Sequence, residues 1–360
     1  MTHPALLSKL TLAALGALAL ITGCKPSGGD AAQQPGQTTR DPSGIVVPVP
    51  GMRRSAPAAR TVALCLANAR NPHQRVQVNL LVELLRQASG TEISAHDAKG
   101  SVATQVEQLA SLAAAKPSAV MVLPVDAAAE KESIQALRAA GSIVIGLDAS
   151  LGGGACDSVV FCDQKKIGTL AGGLVVDALK RKAQDEGSPG VKGRVIQLQG
   201  DEKLPACRAR SEGFTEAIKA EPGIVLVHDA ATGWEKAGAI LRFKEALRLQ
   251  KGFDAVYAHN DIIALGASEA SVEEKVRESL LIVGTDGVTG PGGGLEMLGK
   301  NAIDATVHQP LLVDFAWRLV ERMLKDGGFK PKPAYEIEPV VFTPKNLDEL
   351  RARGLKVPEL

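Results

Sequence analysis

The stretch Asp254-Ala-Val-Tyr-Ala-His-Asn-Asp-Ile-Ile-Ala-Leu-Gly-Ala267 is an apolar run that stops on Asn260 and Asp261 and passes at once into helix-period residues. Working outward, Leu280-Leu-Ile-Val-Gly-Thr285 is a second run and stops on Asp286-Gly287; Ile303 to Val307 is a third and stops on His308-Gln309-Pro310. Short apolar runs bounded by turn residues read as strands buried on both faces, the kind found in parallel sheets. Each delivers polar side chains at its C-terminal end, which is where open parallel sheets bind ligands. Asp or Asn at a strand end also caps the following helix. That is the reading for Asp261, whereas Asn260, Asp286 and Gln309 are read as binding residues.

The same rhythm runs through most of the chain. Thr61 to Ala67, Ile93 to Asp97, Ala119 to Val125, Ile143 to Leu147 and Val159 to Cys162 read as strands, separated by helix-period segments such as Val76, Leu80, Leu81, Leu84 and Leu85. Arg194 to Leu198 and Ile224 to His228 continue the pattern, a helix follows with Leu312, Phe315, Ala316, Leu319, Val320 and Met323 on one face, and Ile337 to Phe342 reads as the last strand. Alternating strand and helix predicts parallel sheets covered on both faces, with right-handed crossovers. Two series of similar size predict two lobes and a ligand in the cleft between them.

The first 24 residues read as a targeting segment: Lys9, a twelve-residue apolar core from Leu10 to Ile21, then Ile21-Thr-Gly-Cys24. The apolar core is shorter than the roughly 18 residues that span a bilayer. Residues 25–59 are rich in Pro, Gly, Ser, Gln and Thr, a composition too poor in apolar surface to offset the entropy of ordering, and read as a flexible tether. Lys and Arg number 41 against 40 Asp and Glu, so no basic excess supports a nucleic-acid partner held by counterion release. Cys65, Cys156, Cys162 and Cys207 follow Cys24; Cys156 with Cys162 is the nearest pairing, free thiols are the default, and no spacing fits a metal site. Gly287-Val-Thr-Gly-Pro-Gly-Gly-Gly294 lacks the Lys-Ser or Lys-Thr of a phosphate-cradling loop, and neither Gly-x-Ser-x-Gly nor His-Glu-x-x-His occurs. Neither a cofactor nor catalysis is expected.

Seven pieces carry a resemblance: Asn71-Pro72, Val144-Ile-Gly-Leu-Asp148, Cys207-Arg-Ala-Arg-Ser-Glu-Gly-Phe214, Ala258-His-Asn-Asp261, Ala264-Leu-Gly-Ala267, Val283-Gly-Thr-Asp-Gly287 and Ala305-Thr-Val-His-Gln309. From about Thr61 to Phe342 the chain resembles the type I periplasmic binding proteins, in particular the ribose-binding group that serves ABC transporters. Ile21-Thr-Gly-Cys24 resembles the lipobox of bacterial lipoproteins, which implies cleavage before Cys24, its lipidation, and anchoring to a bacterial membrane at the periplasm or cell surface.

The resemblance implies an α/β fold of two doubly wound parallel-sheet lobes joined by a three-stranded hinge, crossed near Asp163, Gln309 and Ile337. Residues 60–163 plus 310–336 form the N-terminal lobe in this reading, 164–309 plus 337–345 the C-terminal lobe, and 346–360 a tail. It implies a monomer that captures a sugar or polyol for an ABC transporter permease; a chemotaxis or sensor-kinase receptor is the alternative. The implied ligand-binding residues are Asn71 and Asp148 from the first lobe, Arg208, Asn260 and Asp286 from the second, and Gln309 at a hinge. Carboxylates accept, guanidinium donates and amides do both, which suits adjacent hydroxyls, and Arg208 is expected to compensate both aspartates. His73-Gln74 stands where the ribose group carries two Phe residues. His73 therefore joins the site, Trp234 is its expected aromatic wall, and a cyclitol, sugar acid or other modified sugar is favoured over ribose.

Overall fold

The structure is a computed structural model and describes residues 60–349, apart from 89 and 153. Cys24, the tether and most of the tail therefore lie outside the described residues. The first series runs β1 (Arg60–Leu66), α1 (Pro72–Gln87), β2 (Thr91–Asp97), α2 (Val102–Ala115), β3 (Ala119–Val122), α3 (Ala127–Ala139), β4 (Ile143–Gly146) and β5 (Ser158–Phe161). The second runs α4 (Gln164–Asp185), β6 (Gly193–Gln199), α5 (Pro205–Lys219), β7 (Ile224–Ala231), α6 (Lys236–Gln250), β8 (Ala255–Ala258), α7 (Asp261–Glu273), β9 (Leu281–Asp286), α8 (Gly294–Gly299) and β10 (Ala305–His308). The chain ends with α9 (Leu312–Lys325), β11 (Ala334–Glu336) and β12 (Val340–Phe342).

Two six-stranded sheets result, ordered β2-β1-β3-β4-β5-β11 and β7-β6-β8-β9-β10-β12. Every pairing is parallel except β12, which runs antiparallel to β10. Both halves reverse strand order next to their first strand, and that reversal opens a crevice at the C-terminal strand ends. Ile337 to Phe342, read from sequence as one strand, is split between sheets. Pro339 has no N–H to give a ladder, so Glu336 ends β11 in the first sheet and Val340 begins β12 in the second. The chain thus passes between the sheets after β5, after β10 and between β11 and β12.

Helices α1 and α9 pack together over the first sheet, with α2 and α3 on its other face; α4 and α5 cover one face of the second, with α6 and α7 opposite. One cluster of buried apolar residues holds Leu64, Met121 and Val160 from the first sheet together with Tyr257, Val283 and Val307 from the second. Among the described residues no helix is long and apolar enough to cross a membrane. Cys65, Cys156, Cys162 and Cys207 are buried free thiols. The Cys156–Cys162 pairing is not made, because Cys156 packs in the cluster under α2 and α3 while Cys162 belongs to the cluster shared by both sheets. Burial pushes the thiols of Cys65, Cys156 and Cys162 up to about 12.

The contact between α4 and α5 is unusually close for helices. A Cβ at Gly168 would lie 2.0 Å from the Arg210 carbonyl oxygen, one at Gly213 would lie 2.0 Å from that of Lys165, and one at Gly172 2.5 Å from Ala217 Cβ. Glycine inside a helix costs about 1 kcal/mol relative to alanine, and here the close approach it permits places the α5 backbone at Arg210 directly against α4. Gly168→Ala and Gly213→Ala should each destabilise by about 2 kcal/mol or more through overpacking. Gly173→Ala, whose Cβ would meet nothing within 4 Å, should stabilise by up to about 1 kcal/mol. Urea denaturation of the three variants checks both signs; equal effects at all three positions would mean the helices do not rely on this contact.

Candidate ligand-binding site

The buried side of α5 follows helical spacing: Cys207, Arg210, Phe214 and Ile218 face inward. Arg208 falls off that face. It is exposed, and its Nη1 donates to the carbonyls of Glu202 at 3.2 Å and Lys203 at 2.5 Å. Arg210 occupies the position expected of it. Only 5% exposed, Arg210 donates Nε–H to Gln164 Oε1 at 2.9 Å, Nη1–H to the His259 carbonyl and Nη2–H to Gln309 Oε1, and its Nη1 lies 4.0 Å from Asp286. Arg208 therefore does not compensate the aspartates. Among the described residues the ion pair of Arg210 is with Asp286 alone, and Asp148 is not its partner.

Four chain segments meet at this guanidinium: the start of α4, the end of β8, the end of β9 and the crossing after β10. Burying a charge is expensive unless it is paired and hydrogen-bonded; here four acceptors from those segments surround it. Its carbon lies 5.9 Å from the centroid of Trp234, within cation–π range. Trp234 lies against Gly200, where a Cβ would be 2.0 Å from the indole, so the ring is packed as well as placed beside the site.

Helix α1, packed on the first sheet, reaches the same point through His73. Its Nε2 lies 3.0 Å from the Gln309 carbonyl, which makes that nitrogen the donor. Gln309 is thus held twice, by its main chain from α1 and by its side chain from α5. Asn71 accepts from the N–H of His73 at 2.9 Å and of Gln74 at 3.3 Å and so caps α1. Asn260, 2% exposed, likewise caps α7 through the N–H of Ile263 at 2.8 Å. Asp148 lies two residues past the end of β4, accepts from Ser150 N at 2.8 Å and so caps the short turn that follows rather than joining the residues around Arg210.

His73, Arg210, Trp234, Asp286 and Gln309 thus gather around the guanidinium, while Asn260, next to His259, and Asn71, two residues before His73, serve here as helix caps. Arg208 stands outside. Sequence reading missed Gln164, His259 and His308. The inward spacing of Cys207, Arg210 and Phe214 was the signal for Arg210; His259 and His308 lie in quoted strand-end stretches, and nothing local marked Gln164.

Burial, and for His259 the nearby Arg210 cation, holds the rings of His73, His259 and His308 below the ordinary imidazole range, His308 at about 4. Burial beside Asp286 pushes Asp261 well up. Asp261 accepts from Gly287 N at 3.2 Å and Val288 N at 2.9 Å, bracing the loop after β9 in addition to opening α7. Among the described residues no group of three or more His, Cys, Asp and Glu is placed to hold a metal.

The sequence pattern of the periplasmic binding protein domain matches residues 62–312. The chain belongs to this family. It is 25% identical over 254 residues to the ribose import binding protein of Bacillus subtilis (strain 168), covering 70% of this chain and 77% of that one. With the ribose import binding protein of Haemophilus influenzae it shares 28% identity over 263 residues, 72% and 83% of the two chains. The fold superposes with a TM-score of 0.71 and 19% identity on an ABC transporter solute-binding protein from Bacillus halodurans C-125 with bound myo-inositol, covering 83% of this chain and 99% of that one. The family consists of substrate-binding proteins.

The three imidazoles set a direction for pH dependence. Each is neutral in the fold but takes up a proton near its ordinary value of 6.5 in the unfolded chain. Their contribution to stability is therefore full above about pH 6.5 and drains as pH falls toward the His308 value of about 4. Thermal unfolding should show a midpoint that drops between pH 7 and pH 4.5, with a smaller drop in His308→Asn. An identical pH profile in the two proteins would show that His308 does not titrate in this way.

Proposed function

We propose that this protein captures a sugar or cyclic polyol between two lobes, 60–163 plus 310–336 and 164–309 plus 337–345, and delivers it to an ABC permease. The observation that carries the reading is the Arg210 guanidinium, 4.0 Å from Asp286 and bonded to Gln309, at the junction of two sheets. A fixed donor fork and a carboxylate side by side recognise adjacent hydroxyls, each of which both donates and accepts. The ring of Trp234 supplies a face for ligand C–H groups. Ribose in the curated relatives and myo-inositol in the structural neighbour set the class of ligand to test.

Neutral His73, with its Nε2–H committed to the Gln309 carbonyl, leaves Nδ1 as a directional acceptor at the start of α1. The ligand's hydroxyls thus tie groups of both lobes, so binding favours the closed arrangement, and a permease reads that state. In this reading the chain performs no chemistry on its ligand, works as a monomer, and is held at the membrane by a lipid on Cys24.

Isothermal titration against D-ribose, D-allose and myo-inositol tests the site. Arg210→Ala and Asp286→Ala should each cost about 2 kcal/mol or more in binding, because a charge-assisted hydrogen bond is lost and its buried partner is left unpaired. Arg208→Ala should change affinity less than about 0.5 kcal/mol, as expected of a surface position. Equal loss at Arg208 and Arg210, or none at Arg210, would move the site elsewhere.

A further inference from the structure

Asp286 has a left-handed backbone, with φ +89°, and is followed by Gly287 at φ +58°. Such a conformation is costly for a residue with a side chain and persists only where surrounding groups enforce it. Here two sets of bonds do so. On one side Asp261 accepts from the N–H groups of Gly287 and Val288 at 3.2 and 2.9 Å. On the other, His308 Nδ1 lies 2.9 Å from the Asp286 carbonyl and 3.2 Å from that of Gly287, and Gln309 N donates to the Asp286 carbonyl at 3.1 Å.

Two carbonyls at one ring nitrogen settle the tautomer: Nδ1 carries the proton and Nε2 is bare. Parallel pairing of β9 with β10 sets His308 opposite Asp286, and the ring of Phe342 meets the imidazole edge to face with centroids 5.3 Å apart. The fit requires glycine at 287, where a Cβ would already be 3.2 Å from His308 Cα and Cβ.

We infer that His308 is a positioning residue for ligand capture, donating Nδ1–H to the carbonyls of Asp286 and Gly287 so that the Asp286 carboxylate is held toward Arg210 before ligand arrives. The inference rests on the proposed capture of a polyol, because only that gives the orientation of Asp286 a use. His308 itself touches no ligand in this account. Its effect passes through the left-handed turn: without the donor, of these bonds only that from Gln309 N–H remains on that side and the Gly287 carbonyl loses its partner, so the carboxylate samples orientations that cost entropy to restore on binding.

The test separates a lost hydrogen bond from a lost ring. His308→Leu keeps apolar volume but removes the donor, whereas His308→Asn places an amide N–H near the position of Nδ1. Titration with D-ribose and myo-inositol should show at least a tenfold weaker Kd for His308→Leu and a value within threefold of the parent for His308→Asn. Amide exchange at Gly287 and Val288, read without ligand, should quicken at least tenfold in His308→Leu and stay near the parent in His308→Asn. Unchanged exchange and affinity in His308→Leu overturn the inference, as do equal losses in both variants. Failure of the parent to bind any polyol would defeat the capture reading instead, with the exchange result still deciding whether His308 holds the turn. Should His308→Leu not fold, nitrogen NMR of the parent decides: an Nδ1-protonated ring supports the inference, and an Nε2-protonated ring overturns it.

Discussion

A guanidinium buried between two sheets needs acceptors from several directions, and this requirement organises the centre of the molecule. Arg210 finds them in Gln164, the His259 carbonyl, Gln309 and Asp286. None of these lies on its own helix, so the charge is tolerable only when the start of α4, two strand ends and the second crossing are all in place. Charge-assisted bonds of this kind are stronger than neutral ones, and their directions leave Arg210 little freedom. In the proposed capture the ligand meets a donor fork already oriented, and binding is spared the entropy of ordering it.

That orientation depends on features far from any ligand. Gly168, Gly172 and Gly213 let α4 and α5 approach until backbone meets backbone, and the stem of Arg210 starts from that contact. Small residues that look like weak points in two helices are the condition for placing a long charged side chain. Asp286 shows the converse: a residue with an unfavourable backbone conformation, in a turn held by bonds from Gly287 and Val288 to Asp261 on one side and by His308 on the other. Both devices spend local stability on the geometry of one ion pair, as functional sites commonly do.

The neighbourhood is also polar without being highly charged. His73, His259 and His308 are kept neutral by burial. Each therefore offers one donor and one acceptor in directions fixed by its partners. His73 gives its proton to the Gln309 carbonyl and His308 gives its own to Asp286 and Gly287. Of the three, only His73 falls where the chain departs from the ribose-binding pattern; His259 and His308 lie in stretches that carry the resemblance to it.

Periodicity alone determined the architecture: buried runs such as Ala255 to Ala258 and Leu281 to Asp286, alternating with amphipathic helices, allow little except parallel sheets with helices on both faces. Polar residues at strand ends were legible for the same reason, since a parallel strand that stops at or just before Asn260, Asp286 or Gln309 presents that residue at the C-terminal edge of its sheet. Helical phase would have separated Arg210 from Arg208, because residues two apart on a helix face different ways. The division of Ile337 to Phe342 between sheets, the tautomer of His308, the left-handed turn at Asp286 and the meeting of Gln164 with Arg210 were decided only by the tertiary structure. Each depends on segments distant in sequence being brought within hydrogen-bond reach, and no local pattern encodes which carbonyl a buried donor will find.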